Sequence, residues 1–336
     1  MSDRSSYLSD EHPPFRPPWF LRHPHVMTWT ILWPKPEPGP PSAEPYEVPV
    51  QGGKLRGWAH WHESKRPVAV LLHGLTGSAQ STWVRRAAQR YLDAGFHVIR
   101  HNARGSDGTA RMARPLNHFG LTDDVEALLR QVDADPRTHG IHVCAYSMGA
   151  NQVLKVAGGW GGEVPIDLRS IVAVGPAVDT PLLARRIDEL KGLRIYLRNF
   201  LKDLRKMQLE QSDEFGLSFT KEELDACKTM RSFDDLVTAP EWRYANADDY
   251  YEEASAFHSV QDLRVPTLVL ASEDDFLVPF ESLDPLRRVP AIRFLDTTHG
   301  GHCAFVNRRG KTIGDPDRYW ADHRALEFSR EHASMV

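Results

Sequence analysis

Five short apolar runs punctuate the chain: Val68 to Leu72, Phe96 to Ile99, Ile141 to Ala145, Ile171 to Val174 and Thr267 to Leu270. Strands that are apolar without alternation are buried on both faces, and strands separated by helices meet that condition in a parallel sheet covered on each side. The intervening helices are legible. Trp83, Ala87 and Tyr91 fall at i, i+4 and i+8, with Gly95 as the stop. A second helix begins at Thr122, with Asp123 and Asp124 in its first turn and Val125, Leu128, Leu129 and Val132 on one face. The pattern predicts an α/β fold with a doubly wound, mostly parallel sheet. Before it, Leu55, Ala59 and Trp61 follow the turn Gln51-Gly52-Gly53 in alternation with polar residues, as a half-buried hairpin strand does.

Two stretches break this rhythm. Half of the 24 prolines lie in the first 49 residues, where they deny the backbone helix and central-strand hydrogen bonds, so residues 1–45 are expected to form an irregular arm. Phe15, Trp19, Phe20, Trp29 and Trp33 argue that this arm packs on the body, since disordered segments are poor in large aromatics. Residues 46–336 then form the body. Within it, residues 180–255 read mainly as helix: Pro181 to Gln211 is amphipathic and Thr220 to Glu223 fits a capping box. Their position predicts a helical cap over the carboxyl edge of the sheet, with Ile195, Tyr196, Leu197, Phe200 and Leu201 as candidates either for its pocket or for an ordinary core face.

The formal charge is −4, from 41 basic and 45 acidic residues spread through the 336, which leaves no basic face for nucleic acid or an anionic membrane. Cys144, Cys227 and Cys303 have no paired spacing and are expected to be free thiols. With Met1 as the start, the sequence opens without a basic stretch followed by an apolar one, and Val26 to Trp33 is too short to span a bilayer. A cytoplasmic protein without a transmembrane segment is expected.

The chemistry concentrates where Val143-Cys144-Ala145-Tyr146-Ser147-Met148-Gly149 runs from an apolar strand into the helical segment Ala150 to Ala157. This fits the G-x-S-x-G nucleophile elbow with Ala145 in the first glycine position, and makes Ser147 the candidate nucleophile. Small neighbours are needed because the serine sits on a strained turn with strand and helix in close approach. An activated serine needs a base, and the base an orienting carboxylate. Leu268 to Pro279 is a strand running into an acidic turn, and Asp275 is the candidate acid; Asp274 suits a turn cap, and Asp179 is a further candidate. His299-Gly300-Gly301-His302 supplies the base, with His302 preferred over His299. No further ligands cluster near this histidine pair, so no metal is expected. Val68 to Gly77 is a strand ending in His73-Gly74-Leu75-Thr76-Gly77; its glycines lack the G-K-[ST] ending of a nucleotide loop, so no cofactor is expected. The backbone N–H groups of Leu75 and Met148 are the candidate oxyanion donors, and His73 is read as support for the turn.

With these pieces in order, the chain resembles the YheT-like and ABHD-type branch of the α/β hydrolases. The resemblance extends through Phe15-Arg16-Pro17-Pro18-Trp19, His23-Pro24-His25, Asn102-Ala103-Arg104-Gly105, Asp234-Asp235, Thr238-Ala239-Pro240 and Asp249-Tyr250-Tyr251. It implies the α/β-hydrolase fold, hydrolysis of carboxylic esters through Ser147, His302 and Asp275, and a small-molecule ester or lipid substrate of unassigned chain length. Two departures stand out: Ala145 replaces the usual elbow glycine, and the H-x4-D motif of acyltransferase-like relatives reads His302 to Asn307. Acyl transfer on the same triad, or a binding protein that kept the fold without turnover, are the alternatives. Oligomeric state is not legible.

Overall fold

The computed structural model describes residues 13–32, 40, 43–308 and 314–334. Among them a single sheet carries eight strands: β1 (Glu44–Val50), β2 (Gly53–His60), β3 (Arg66–Leu72), β4 (His97–Arg100), β5 (Thr138–Tyr146), β6 (Leu168–Val174), β7 (Thr267–Ser272) and β8 (Ile292–Thr297). Their order is β1-β2-β4-β3-β5-β6-β7-β8. The β1–β2 and β2–β4 pairs are antiparallel and every other pair is parallel. Each predicted apolar run falls on a strand, most of them longer than predicted and β4 shifted by one residue so that Phe96 precedes it, and the hairpin turns at Gly52 and Gly53 as expected. A side chain at Gly53 would meet the Met112 carbonyl at 2.0 Å, which is why the turn needs glycine.

The central parallel strands carry apolar runs because each face of the sheet meets a separate core. Val68, Val70 and Leu72 of β3 point into one, with helices α3 (Thr122–Asp133) and α4 (Met148–Trp160). Ala69 and Leu71 point into the other, with α2 (Thr82–Asp93) and α11 (Trp320–Glu331). Strands β5, β6 and β7 divide their residues the same way. The chain leaves β3 toward β4 on one side, then returns across it to β5 on the other. The loops that follow β3 and β5 therefore diverge, and such a switch point opens a crevice at the carboxyl edge of a parallel sheet.

Between β6 and β7 the chain is helical, as predicted, but the amphipathic run from Pro181 is not one helix. It divides into α5 (Thr180–Glu189), a short 3-10 turn (Lys191–Leu193) and α6 (Arg194–Phe215), with Leu190 extended at the break. The shorter helices α7 (Lys221–Ala226), α8 (Met230–Phe233), α9 (Ala239–Trp242) and α10 (Ala247–Ala254) complete the segment, and the Thr220–Glu223 capping box is present at the start of α7. Several family-like stretches fasten it. Tyr251 donates its hydroxyl to Asp234 at 2.7 Å, Asp235 accepts the Ala247 N–H at 2.8 Å, and the Tyr250 hydroxyl accepts the Phe119 N–H at 3.1 Å.

The arm is less irregular than its prolines suggested. Pro24 opens helix α1 (Pro24–Leu32); proline is tolerated there because the first-turn N–H has no intrahelical acceptor. Of the arm's large aromatics, Phe15 docks on the body with its ring against Phe305 and Trp320, and Trp29 makes a side-chain hydrogen bond with Tyr196 of α6. Trp19, Phe20 and Trp29 are exposed, and Trp33 lies outside the described residues. Among the described residues no helix is long and apolar enough to cross a membrane.

Candidate active site

Ser147 stands where β5 gives way to α4, with φ 51° and ψ −113°. A positive φ on a residue with a Cβ costs on the order of 1–3 kcal/mol and persists only where the surroundings impose it. Here they do. The Ser147 N–H donates to the Val174 carbonyl at 2.9 Å, and a Cβ on Gly149 would meet the His73 carbonyl at 2.6 Å, so helix and strand leave no room for a relaxed turn. Ala145 lies wholly buried inside β5, where its methyl group packs into the core that holds α3 and α4.

The sequence-predicted residues come together. His302 Nδ1 lies 2.8 Å from Asp275 Oδ2, and His302 Nε2 lies 2.9 Å from Ser147 Oγ. A carboxylate only accepts, so Nδ1 carries the proton and Nε2 is free to accept from the serine hydroxyl. The second Asp275 oxygen accepts the N–H groups of Leu277 and Val278 at 2.9 and 3.0 Å, which fixes the carboxylate plane. Burial works against a charged imidazole, but the adjacent Asp275 charge outweighs it, and the His302 pKa is raised well above the ordinary value.

The two other carboxylates read from sequence are placed elsewhere. Asp179 caps α5, accepting the Leu182 N–H at 3.0 Å. Asp274 caps a turn, though not its own: its Oδ1 accepts from Gly300 and Gly301 at 3.0 and 2.9 Å. It thereby holds the loop that carries His302, and His299 sits 3.4 Å from its other oxygen.

The loop after β3 closes the site. A Cβ on Gly74 would stand 3.1 Å from Ser147 Cβ, so the chain passes directly beside the serine. His73 donates from Nδ1 to the Gly74 carbonyl at 2.7 Å and accepts the Ala103 N–H on Nε2 at 3.1 Å. That pairing requires a neutral ring, and burial lowers its pKa to about 4. Leu75 follows in the same loop, and Met148 opens α4, where first-turn amides lack intrahelical acceptors.

Two residues escaped the sequence reading. Gly175, at φ 53°, follows β6, and a Cβ there would lie 2.8 Å from Cys303 Sγ and 3.6 Å from Asp275 Oδ2. Thr28, in the arm, accepts the His302 backbone N–H on its hydroxyl at 2.8 Å. The arm grips that loop elsewhere too: Asn307 accepts the Arg16 N–H at 2.8 Å and donates to the Pro14 carbonyl at 3.1 Å. Cys303, beside His302, is buried in the core with its thiol on the Val174 carbonyl.

A cavity of ≈ 420 Å³ reaches Ser147 and His302 and is walled by Thr28 and Ile31 of α1, Leu183 of α5, and Tyr196 and Phe200 of α6. Of the five α6 residues considered from sequence, Tyr196 and Phe200 line it; Leu197 and Leu201 point to another groove and Ile195 to solvent. Behind Leu75, Phe119, Leu183 and Ile187 lies a narrow inner cavity of ≈ 40 Å³, floored by Met230, Phe233 and Val237. Among the described residues no group of His, Cys, Asp or Glu is arranged to hold a metal ion.

The model of the alpha/beta hydrolase family matches residues 69–313. The chain belongs to the alpha/beta hydrolase family. This hydrolase is 26% identical over 267 residues to the YheT protein of Escherichia coli strain K12, named as an esterase, with 78% of this chain and 76% of that one aligned. It is also 26% identical to the monoacylglycerol lipase of Saccharomyces cerevisiae and to phospholipase ABHD3 of Mus musculus. Those alignments cover 74% and 72% of this chain but only 57% and 59% of the relatives, so the hydrolase spans less than two thirds of their length. Among solved structures, Est1E from Butyrivibrio proteoclasticus superposes with a TM-score of 0.56 over 87% of this chain and 99% of its own, at 16% identity, a likeness of fold.

Proposed function

We propose that the hydrolase cleaves carboxylic esters, with Ser147 as nucleophile, His302 as general base and acid, and Asp275 as the group that orients it. The reading rests above all on the continuous hydrogen-bonded line from Ser147 Oγ through His302 to Asp275 at 2.9 and 2.8 Å. Ser147 Oγ attacks the ester carbonyl as its proton passes to His302 Nε2, and Asp275 stabilises the imidazolium so formed. The tetrahedral oxyanion accepts hydrogen bonds from the backbone N–H groups of Leu75 and Met148. As the C–O bond to the alcohol breaks, His302 returns the proton to the leaving oxygen. Water then attacks the acyl-serine by the same route and releases the acid.

The relatives' names, esterase, monoacylglycerol lipase and phospholipase, favour esters with apolar acyl chains, and the apolar walls around the inner cavity give such a chain a direction to enter. Residues 180–255 serve as the cap, since α5 and α6 wall the cavity above Ser147. Transfer to an alcohol instead of water gains no support from Asn307: in the position of the motif's acid it is bonded to the arm.

Hydrolysis of a p-nitrophenyl ester series by wild type and Ser147→Ala tests the proposal. The variant is expected to lose about 10⁴- to 10⁶-fold in kcat; wild-type turnover in a folded variant would exclude Ser147 as nucleophile, and a folded wild type inert on every ester would favour a binding protein.

A further inference from the structure

Large apolar side chains are exposed on the arm and at the start of α6. Trp19 is 78% exposed, Phe20 57% and Trp29 46% in the arm, and Ile195 is 52% exposed at the start of α6. Val26 and Trp29 are three residues apart on α1 and share its outer side, while Thr28 and Ile31 on the inner side wall the cavity. Helix α6 repeats the division, with Tyr196, Asn199 and Phe200 toward the cavity and Ile195 toward solvent. The two helices are joined: His25 Nδ1 lies 3.0 Å from the Tyr196 hydroxyl and the rings stack at 5.5 Å. Val26, Trp29 and Ile195 thus stand on the outer sides of the two helices whose inner sides wall the cavity, and Trp19 and Phe20 lie on the turn just before α1.

The charge of this surface departs from that of the whole chain. Residues 13–32 and 190–202 contain Arg16, Arg22, Lys191, Arg194, Arg198 and Lys202 and no Asp or Glu. On the flank of α6 away from the cavity, Arg194, Arg198, Arg205 and Lys228 line a groove of ≈ 560 Å³. The acid in that groove, Asp188, is held by the backbone N–H groups of Met230 and Arg231. A formal charge of −4 averaged over 336 residues conceals this face, although the sequence led to the expectation of none for nucleic acid or an anionic membrane.

Exposed indole and phenyl rings interspersed with cations suit a lipid–water boundary, where the rings enter the headgroup region and the cations meet anionic headgroups. A protein partner or a second copy seated here would cover the rim of the cavity that holds Ser147. A lipid surface would instead carry its contents to that rim. We propose that the outer faces of α1 and α6, with the Trp19–Phe20 turn, dock on an anionic lipid surface. The delivery of substrate rests on the esterase reading; the docking does not.

The test is co-flotation of the full chain with phosphatidylcholine vesicles containing or lacking phosphatidylglycerol, for wild type, Trp19→Ser/Phe20→Ser and Arg194→Glu/Arg198→Glu, with p-nitrophenyl butyrate hydrolysis and thermal melting alongside. The account expects wild type to float with anionic vesicles and the aromatic variant to bind at least ~10-fold more weakly. The charge variant should lose binding at low salt, where exposed charges are least screened. Both variants should keep their melting temperature and soluble-ester turnover. Failure of wild type to float, equal binding by the aromatic variant, indifference to phosphatidylglycerol, or a wild-type dimer abolished by the aromatic substitutions would overturn the docking. Vesicle binding without ester turnover in wild type would support the docking while defeating the proposed function.

Discussion

Two histidine–aspartate pairs occupy the same two loops and differ in almost everything but composition. His302 meets Asp275 at 2.8 Å, with side-chain exposures of 12% and 5%; His299 meets Asp274 at 3.4 Å, with exposures of 32% and 17%. Asp275 directs one oxygen at an imidazole, and that imidazole reaches the serine. Asp274 directs one oxygen at two backbone N–H groups of the Gly300-Gly301 turn. One carboxylate sets the proton affinity of a base; its neighbour sets where the loop bearing that base can lie. Residue type and spacing do not distinguish the two pairs. Burial and partner do, because a carboxylate in a low-dielectric site stabilises an imidazolium far more than one at the surface.

The difference can be broken first at Asp275. Asp275→Asn is expected to lower kcat by about 10⁴-fold, since the Leu277 and Val278 N–H groups claim the amide oxygen, and the NH2 left facing Nδ1 donates rather than accepts and holds the wrong tautomer. The pH profile carries the sign. In the proposed mechanism turnover requires neutral His302, and the Asp275 charge raises its pKa well above the ordinary value, so wild-type kcat/KM should fall as pH drops through an inflection above about 6.5. In Asp275→Asn the largest raising influence is gone while burial still lowers the pKa, and the inflection should move down. An unchanged profile would mean that another group supplies the orienting charge.

Asp274→Ala should act differently, costing about 3 kcal/mol of stability by stranding two N–H groups, and about tenfold in kcat through loosening of the His302 loop, with no displacement of the pH inflection. Smaller again, Thr28→Val removes one acceptor from the His302 N–H while preserving shape. About 1 kcal/mol of stability and a several-fold drop in kcat with KM unchanged are expected, and Thr28→Ser should restore both. At the small end, His299→Gln should stay within about twofold of wild-type kcat, within the range of a surface substitution. Steady-state kinetics and thermal melts on the five variants measure all of these, and a larger loss from His299 than from Asp275 would reverse the assignment.

Much of this was legible before any coordinates, for identifiable reasons. The strands were, because both-face burial leaves unbroken apolar runs such as Val68 to Leu72. Ser147 and Asp275 could be proposed because each follows such a run, where the fold must place its loops; His302 was proposed from its Gly300-Gly301 neighbours, after a strand of alternating burial. Thr28 was not, because 274 residues separate it from the backbone N–H it accepts, and no local pattern marks a threonine on an arm. Gly175 carries no motif, only a positive φ and the nearness of Cys303 and Asp275. The break between α5 and α6 went unread because the amphipathic spacing continues through it. The prolines overstated the arm's irregularity, since Pro24 begins a helix rather than ending one.

The central claim is that Ser147 is made nucleophilic by His302 and Asp275, and the most direct measurement is the site and rate of covalent capture. Wild type and His302→Ala are exposed to a fluorophosphonate, and the adduct is located by peptide mass spectrometry. The account predicts one adduct, on the peptide carrying Ser147, formed at least about 10³-fold more slowly without His302. An adduct on another residue, or capture at Ser147 that proceeds equally fast without the imidazole, would contradict it.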